Sequence, residues 1–120
     1  MFPTSGFTPY KYIAAGAANQ DSILVSAGTR FLYGIAAFCT QSSIRYLKIY
    51  DKATAPTSAD TPILTLLIPG NSTGSGFIVP GVLPGMAITN GIGFRLTTGL
   101  ADNDTGAVTA NDCVINLLYK

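Results

Sequence analysis

Acidic side chains near the C-terminus form the one cluster whose spacing could serve metal chemistry. The segment 102–106 places Asp102 and Asp104 at alternate positions, with Asp112 a few residues further along. Alternate carboxylates in a loop can offer oxygen ligands to Ca²⁺, but the helix-flanked calcium loop needs Gly at its sixth position and Glu at its twelfth. Here Gly106 is the fifth residue of the segment, and the chain has no Glu. The other interpretation is that these Asp side chains hydrogen-bond their own backbone and shape a turn. We predict no resident metal.

The rest of the side-chain inventory argues against an enzyme. The chain has no His, no Glu and no Trp, and Asp provides all six acidic residues. General acid–base and nucleophilic catalysis usually depend on His, a tuned Glu or a close carboxylate pair. The glycine-rich stretch 70–76 lacks the Lys-Ser/Thr pair of a phosphate-binding loop. Two cysteines without His make zinc improbable. The sequence therefore predicts no catalytic residues and no cofactor, and it favours binding or structural assembly.

Composition points to a chain whose exterior is covered by other subunits. Charged residues are 11% of the chain and hydrophobic residues 48%, with a net charge of +1, whereas about 25% is charged in an average soluble domain. The seven basic residues are scattered, so no nucleic-acid partner is indicated. No apolar run approaches the roughly 18 residues of a membrane span. Either Thr, Ser and Asn cover the surface or neighbouring subunits do. We favour a homo-oligomer, with a trimer first, because obligate interfaces are apolar.

The first 20 residues differ from the rest in composition. Four aromatic residues lie among Pro and Gly, namely Phe2, Phe7, Tyr10 and Tyr12. Pro and Gly argue against a helix, and the aromatics argue against a plain disordered tail. An extended N-terminal arm that lays its rings on a neighbouring subunit fits both facts, and we predict it for residues 1–20. An ordinary first strand that covers the domain's own core is the alternative.

From residue 21 onward the chain reads as short β segments separated by turn residues. No segment has a convincing helical period. The spacing predicts an all-β domain over residues 21–120, an antiparallel β-sandwich of jelly-roll type. About eight strands are expected, at 22–26, 29–40, 43–50, 62–68, 77–79, 86–89, 92–98 and 112–119.

Local patterns refine this prediction in three places. Gly34 is a candidate β-bulge within the long strand 29–40. The short turn 40–42 predicts a hairpin between the strands on either side of it. Cys39 and Cys113 both fall in strands and could pair if those strands were neighbours, but without a secretion signal we interpret them as two buried thiols.

Side-chain alternation divides the strands into inward and outward faces. Strand 62–68 directs its even-numbered residues inward, and strand 112–119 its odd-numbered residues. In strand 43–50 the odd-numbered residues face the core, so Tyr46, Lys48 and Tyr50 project together on the other side. This row is a candidate contact stripe. An aromatic ladder on a solvated sheet is the alternative.

Several stretches resemble a group of small proteins encoded in tailed-bacteriophage genomes. These are 45–53 (RYLKIYDKA), 60–64 (DTPIL), 91–99 (GIGFRLTTG) and 111–119 (NDCVINLLY), within a match over residues 22–120. The resemblance implies a virion component with a small β-sandwich or jelly-roll fold. The region 70–84 departs from the pattern by being richer in Gly and Pro, and no functional residues carry over from the group.

The resemblance implies a structural role on the particle. The expected function is that of a capsid decoration (cement) protein, made in the host cytoplasm, that contacts the major capsid protein or other virion proteins. Its expected contact residues are the aromatics of the arm. The alternatives are a tail or neck accessory, or a receptor- or glycan-binding module that uses the row Tyr46, Lys48 and Tyr50.

Overall fold

The computed structural model describes residues 6–16, 21–79 and 85–120. Nine β-strands lie within these ranges. None of these residues is helical, so none of them forms a helix that could cross a membrane. The strands are β1 (Thr8–Ile13), β2 (Ser22–Ala27), β3 (Arg30–Cys39), β4 (Arg45–Asp51), β5 (Leu64–Ile68), β6 (Ser75–Val79), β7 (Met86–Ile88), β8 (Gly91–Thr97) and β9 (Cys113–Tyr119).

The strands form two antiparallel sheets. The five-stranded sheet has the order β1-β9-β3-β6, and β7 pairs with β3 on residues that β6 leaves free. The four-stranded sheet has the order β2-β8-β4-β5. The predicted all-β, antiparallel β-sandwich is thus confirmed. The jelly-roll assignment within that class stays a prediction.

The core lies between the sheets and follows the predicted alternation. Cys113, Ile115 and Leu117 of β9 are buried, and Ile68 of β5 is fully covered. They pack with Leu47, Ile49 and Phe94 of the opposite sheet in one hydrophobic cluster. Full burial of a large apolar side chain contributes about 1.5–3 kcal/mol, so this cluster supplies the main driving force for folding.

The predicted hairpin at residues 40–42 is wrong. β3 lies in the five-stranded sheet and β4 in the four-stranded sheet, so the turn between them passes from one sheet to the other. Each strand is already paired with other strands on both of its sides. β3 pairs with β9 on one side and with β6 and β7 on the other, and β4 pairs with β8 and β5. Gly70 sits against the backbone of Ser42 and Ser43, where a Cβ atom would come within 2.5 Å of Ser42 O.

The predicted bulge at Gly34 is confirmed, and the prediction of two free thiols is wrong. The register between β3 and β9 shifts between Leu32 and Gly34. Further along the same pair of strands Cys39 lies directly opposite Cys113, with Cα atoms 4.1 Å apart, and the two form a disulfide. Neighbouring positions on adjacent strands bring the sulfur atoms together, and both residues are fully buried. No free cysteine is present.

Candidate functional site

Part of the predicted N-terminal arm belongs to the sandwich itself. Residues 8–13 form β1, which pairs with β9 from Thr8 opposite Tyr119 to Ile13 opposite Val114. These six residues therefore follow the first-strand interpretation rather than that of a detached arm. Residues 1–5 and 17–20 lie outside the described part of the chain.

Tyr10 and Tyr12, two of the predicted contact residues, face the core of their own domain. Their rings meet Phe94 edge-on, with centroids 6.3 and 5.2 Å away. The Tyr12 hydroxyl donates a hydrogen bond of 2.5 Å to Asp21 Oδ1, which also accepts one of 2.9 Å from the amide of Ala15. Burial, and next the bond to Asp21, raise the pKa of Tyr12 above its usual value. These rings are occupied in holding β1 to the sandwich.

The other two aromatics of the predicted arm differ from this pair. Phe7 is half exposed, and the centroid of its ring lies 4.3 Å from the ring centroid of Tyr33 on β3. It remains accessible to a partner at the edge of the five-stranded sheet. Phe2 lies outside the described residues.

The prediction that Tyr46, Lys48 and Tyr50 form an exposed stripe on β4 is wrong. Lys48 and Tyr50 are buried, with 0% and 1% of their surface exposed, and only Tyr46 is partly accessible. Leu47 and Ile49 on the opposite side of the strand are fully buried as well. The strand is covered on both faces because residues 98–107 cross the outer side of the four-stranded sheet and bond to the side chains that project there.

Backbone carbonyls of this loop hold the two buried cations. Lys48 Nζ donates to the carbonyls of Gly99, at 3.2 Å, and Ala101. Arg95, directly opposite Lys48 on β8, donates to the carbonyls of Asp102 at 3.1 Å and Asp104 at 2.5 Å. Loss of hydration on burial, and next the neighbouring Arg95 charge, lower the pKa of Lys48. The arrangement uses charge-assisted hydrogen bonds to fasten the loop and leaves neither cation open to a ligand.

The Asp side chains of segment 102–106 serve the loop's own backbone. Asp104 Oδ1 accepts hydrogen bonds from the amides of Gly99, at 3.1 Å, and Gly106, at 2.8 Å. This is the turn-shaping interpretation of the cluster. Among the residues that the structure describes, no group of three His, Cys, Asp or Glu side chains is placed to hold a metal ion.

Among the described residues, an accessible apolar surface lies on the outer side of the five-stranded sheet. We call it the Ile78 face, and it consists of Ala36, Phe38, Ile78, Asn116 and Leu118. Ile78 is 77% exposed, Phe38 42% and Leu118 43%. Contiguous apolar patches on a soluble protein often mark interaction sites. This face is the candidate functional site of the described chain.

Two shallow hollows adjoin Ile78 on this face. One of about 560 Å³ extends over Ala36, Phe38 and Gly76, and another of about 270 Å³ extends over Gly34, Ala36 and Leu118. Small residues form their floors, so the surface is low on either side of the projecting Ile78 side chain. Asn116 is the one polar side chain in both linings, and its amide donates to Ala36 O at 3.3 Å.

The sequence carries a signal for this face, although the face was not among the predicted sites. The strand 30–39 is apolar on both sides over most of its length, which is typical of a strand covered on both faces. β6 likewise places Phe77 inward and Ile78 outward, with an apolar side chain on each side. Apolar residues on both faces of adjacent strands indicate a sheet whose outer side meets another surface.

The fold places the chain in the class of antiparallel two-sheet β-sandwiches. Comparison with protein-family models finds no match, and comparison with curated proteins finds no significant relative. The function is therefore inferred from the surface chemistry and from the resemblance described above.

Proposed function

We propose that the protein is a structural component of a bacteriophage virion, a capsid decoration protein that binds the assembled shell and stabilises it. The observation that carries this proposal is the Ile78 face, an accessible apolar surface on a chain with 11% charged residues. A surface of this kind suits permanent association, because obligate interfaces are more apolar than ordinary surface. The partners we propose are the major capsid protein and further copies of this chain.

The distribution of polar groups supports a role in assembly rather than in recognition of small ligands. The Tyr46, Lys48 and Tyr50 row, which could have served as a sugar platform, is largely covered by the loop 98–107. The buried cations donate hydrogen bonds to loop carbonyls, and among the described residues Arg95 Nε is the one of their buried nitrogens without a partner. The Ile78 face is an accessible apolar surface on the five-stranded sheet, so a protein surface of the same character is the partner that fits it best.

The topology is consistent with the jelly-roll part of the proposal. β1 to β4 alternate between the two sheets, and so do β7 to β9. Double-sheet sandwiches in which consecutive strands change sheets include the jelly rolls of viral capsid domains. This supports the proposed virion role at the level of the fold alone.

The mechanism of stabilisation is mass action. A protein that binds only the assembled shell adds about 4 kcal/mol per site when its free concentration is a thousand times its dissociation constant. Repeated over many sites, this free energy opposes the internal pressure of packaged DNA. The disulfide and the buried core keep the decorating domain folded while it is bound.

Copy number in purified particles tests the proposal. We expect a number of copies comparable with that of the major capsid protein, measured by quantitative mass spectrometry. A handful of copies per particle would instead indicate a tail or neck position and would contradict the decoration role. Absence from the particle would contradict a virion role altogether.

An add-back experiment tests which surface is used. Particles made without the chain should release DNA at a lower temperature, and purified chain should restore the original release temperature. Ile78→Asp is expected to fail in this assay, whereas Leu100→Asp is the matched control, since Leu100 is 63% exposed and lies in the loop on the opposite sheet. Equal restoration by both variants would remove the Ile78 face from the proposal.

A further inference from the structure

We infer that the Ile78 face binds the same face of a second copy of this chain, in a two-fold arrangement that forms without any particle. The inference does not depend on the proposed virion role. Because the proposed shell contact uses the same face, a copy must leave the dimer before it binds the shell. It rests on the shape, the charge and the area of the face, together with the unpaired edge beside it.

The shape of the face is self-complementary. Ile78 projects from the sheet as the most exposed of the large apolar side chains described. Beside it lies the hollow of about 560 Å³ over Ala36 and Gly76, which has room for a branched aliphatic side chain. In a two-fold complex, when element i of one copy contacts element j of the other, element j of the first copy also contacts element i of the second. Each copy can therefore place Ile78 in the other copy's hollow.

The charge distribution selects an apolar, uncharged partner. Neither hollow is lined by any charged residue. The cross-strand row that contains Ile78 runs through Ala36 and Asn116 to Lys11 on β1. Lys11 lies three strands from Ile78, about 14 Å at the usual strand spacing, and so falls at the rim of the contact. The face of a second copy meets these conditions without burying an unpaired charge.

The edge of the sheet beside the face also lacks the usual protection. β6 pairs with β3 on one side, and no strand among the described residues pairs with its other side. Exposed edge strands usually carry charged residues, Pro or bulges that prevent pairing with other chains. Ser75–Val79 has no charged residue and no Pro. A second copy over the Ile78 face would lie next to this edge.

The available area is what a weak dimer needs. The exposed parts of Phe38, Ile78 and Leu118 equal about one and a half fully exposed large side chains, or roughly 300 Å². Two copies bury twice that area, about 600 Å². The small residues around it add to this total, which stays below the roughly 1,000 Å² of a stable specific interface. We therefore expect a dimer that dissociates on dilution.

Sedimentation velocity of the full chain over a wide concentration range tests the inference. We expect a reversible transition from 12.5 kDa to twice that mass. Ile78→Asp should weaken dimerisation by about tenfold or more because it places a charge at the centre of an apolar contact. Ala36→Arg should do the same by filling the hollow, and Leu100→Asp should leave the dimer unchanged.

Two outcomes would overturn the inference. One is a wild-type chain that stays monomeric at the highest concentration. The other is a dimer that both Ile78→Asp and Ala36→Arg leave intact while circular dichroism shows them folded. A dimer without particle binding would contradict the proposed function alone, and particle binding by a chain that stays monomeric at every concentration would contradict this inference alone.

Discussion

Removal of the Cys39–Cys113 disulfide should destabilise the protein by several kilocalories per mole. The bond joins residues 74 positions apart, so it closes most of the chain into one loop. For a loop of about 75 residues, the loss of chain entropy in the unfolded state gives about 4.5 kcal/mol at 25 °C. This is a large part of the roughly 5–15 kcal/mol by which domains are stable. The strands β3 and β9 pair through backbone hydrogen bonds with or without the bond, so we expect the fold to survive its loss.

Equilibrium unfolding in urea measures this effect. The chain has no Trp and six Tyr residues, so tyrosine fluorescence and circular dichroism are the suitable signals. With a slope of about 1.5–2 kcal/mol per molar urea, the midpoint should fall by about 2–3 M on reduction. Reduced wild-type chain is the better comparison, because both sulfur atoms remain in the core. The double variant Cys39→Ala/Cys113→Ala adds a cavity and should lose somewhat more.

The accessibility of the bond provides a second readout. Both cysteines are fully buried, so a reductant should act slowly on the native protein and quickly once urea opens it. Mass spectrometry after alkylation reports the redox state of each sample. Coincident midpoints for chains shown to be oxidised and reduced would refute the reasoning, because the cross-link would then contribute nothing to stability.

Four further predictions concern the loop 98–107 and the titratable groups. Arg95→Met should lower the free energy of unfolding by about 2–3 kcal/mol, because two loop carbonyls lose a charged donor. Hydrogen exchange of the backbone amides 98–106 should then accelerate in the variant. Unchanged exchange would contradict the role of Arg95 in holding the loop. The pKa of Tyr12 is raised above 10.0 in the folded chain. The contribution of Tyr12 to stability should therefore be intact below pH 10 and fall as the pH rises above it. In urea titrations, Tyr12→Phe should remove part of this pH dependence of the free energy of unfolding. The pKa of Asp51 is lowered from 3.8 by hydrogen bonds from the amides of residues 89–91, so its contribution should be present above that pH and be lost as the pH falls further; Asp51→Asn should flatten the acid limb of the stability profile. Millimolar Ca²⁺ should leave the melting temperature as it is in chelator, and a clear rise would restore the calcium interpretation of segment 102–106.

The strands were predictable because they are amphipathic over short distances. In β9 the residues Cys113, Ile115 and Leu117 alternate with less buried positions, and the predicted strand 112–119 differs from the observed one by a single residue. Turn residues such as Gly28, which has a φ of 92°, mark the ends of strands where only glycine adopts the backbone angle freely. The alternation of apolar residues and the positions of turn residues are local properties, so both can be predicted from a sequence.

The surroundings of each strand were less predictable. Alternation correctly placed Lys48 and Tyr50 on the side away from the core, but it carries no information on what else covers that side. The loop 98–107 lies about fifty residues further along the chain and reaches Lys48 through backbone carbonyls, which leave no mark in the sequence. The same holds for Cys39 and Cys113, since their pairing depends on β3 and β9 being neighbours.

The covering loop gives the molecule two unlike broad sides. Every residue of β8 is buried, because the four-stranded sheet has the core beneath it and residues 98–107 above it. Among the residues that the structure describes, no such third layer lies over Ile78 on the opposite sheet. A planar array of these domains would therefore be polarised, with the hydrogen-bonded loop 98–107 on one side and the apolar Ile78 face on the other.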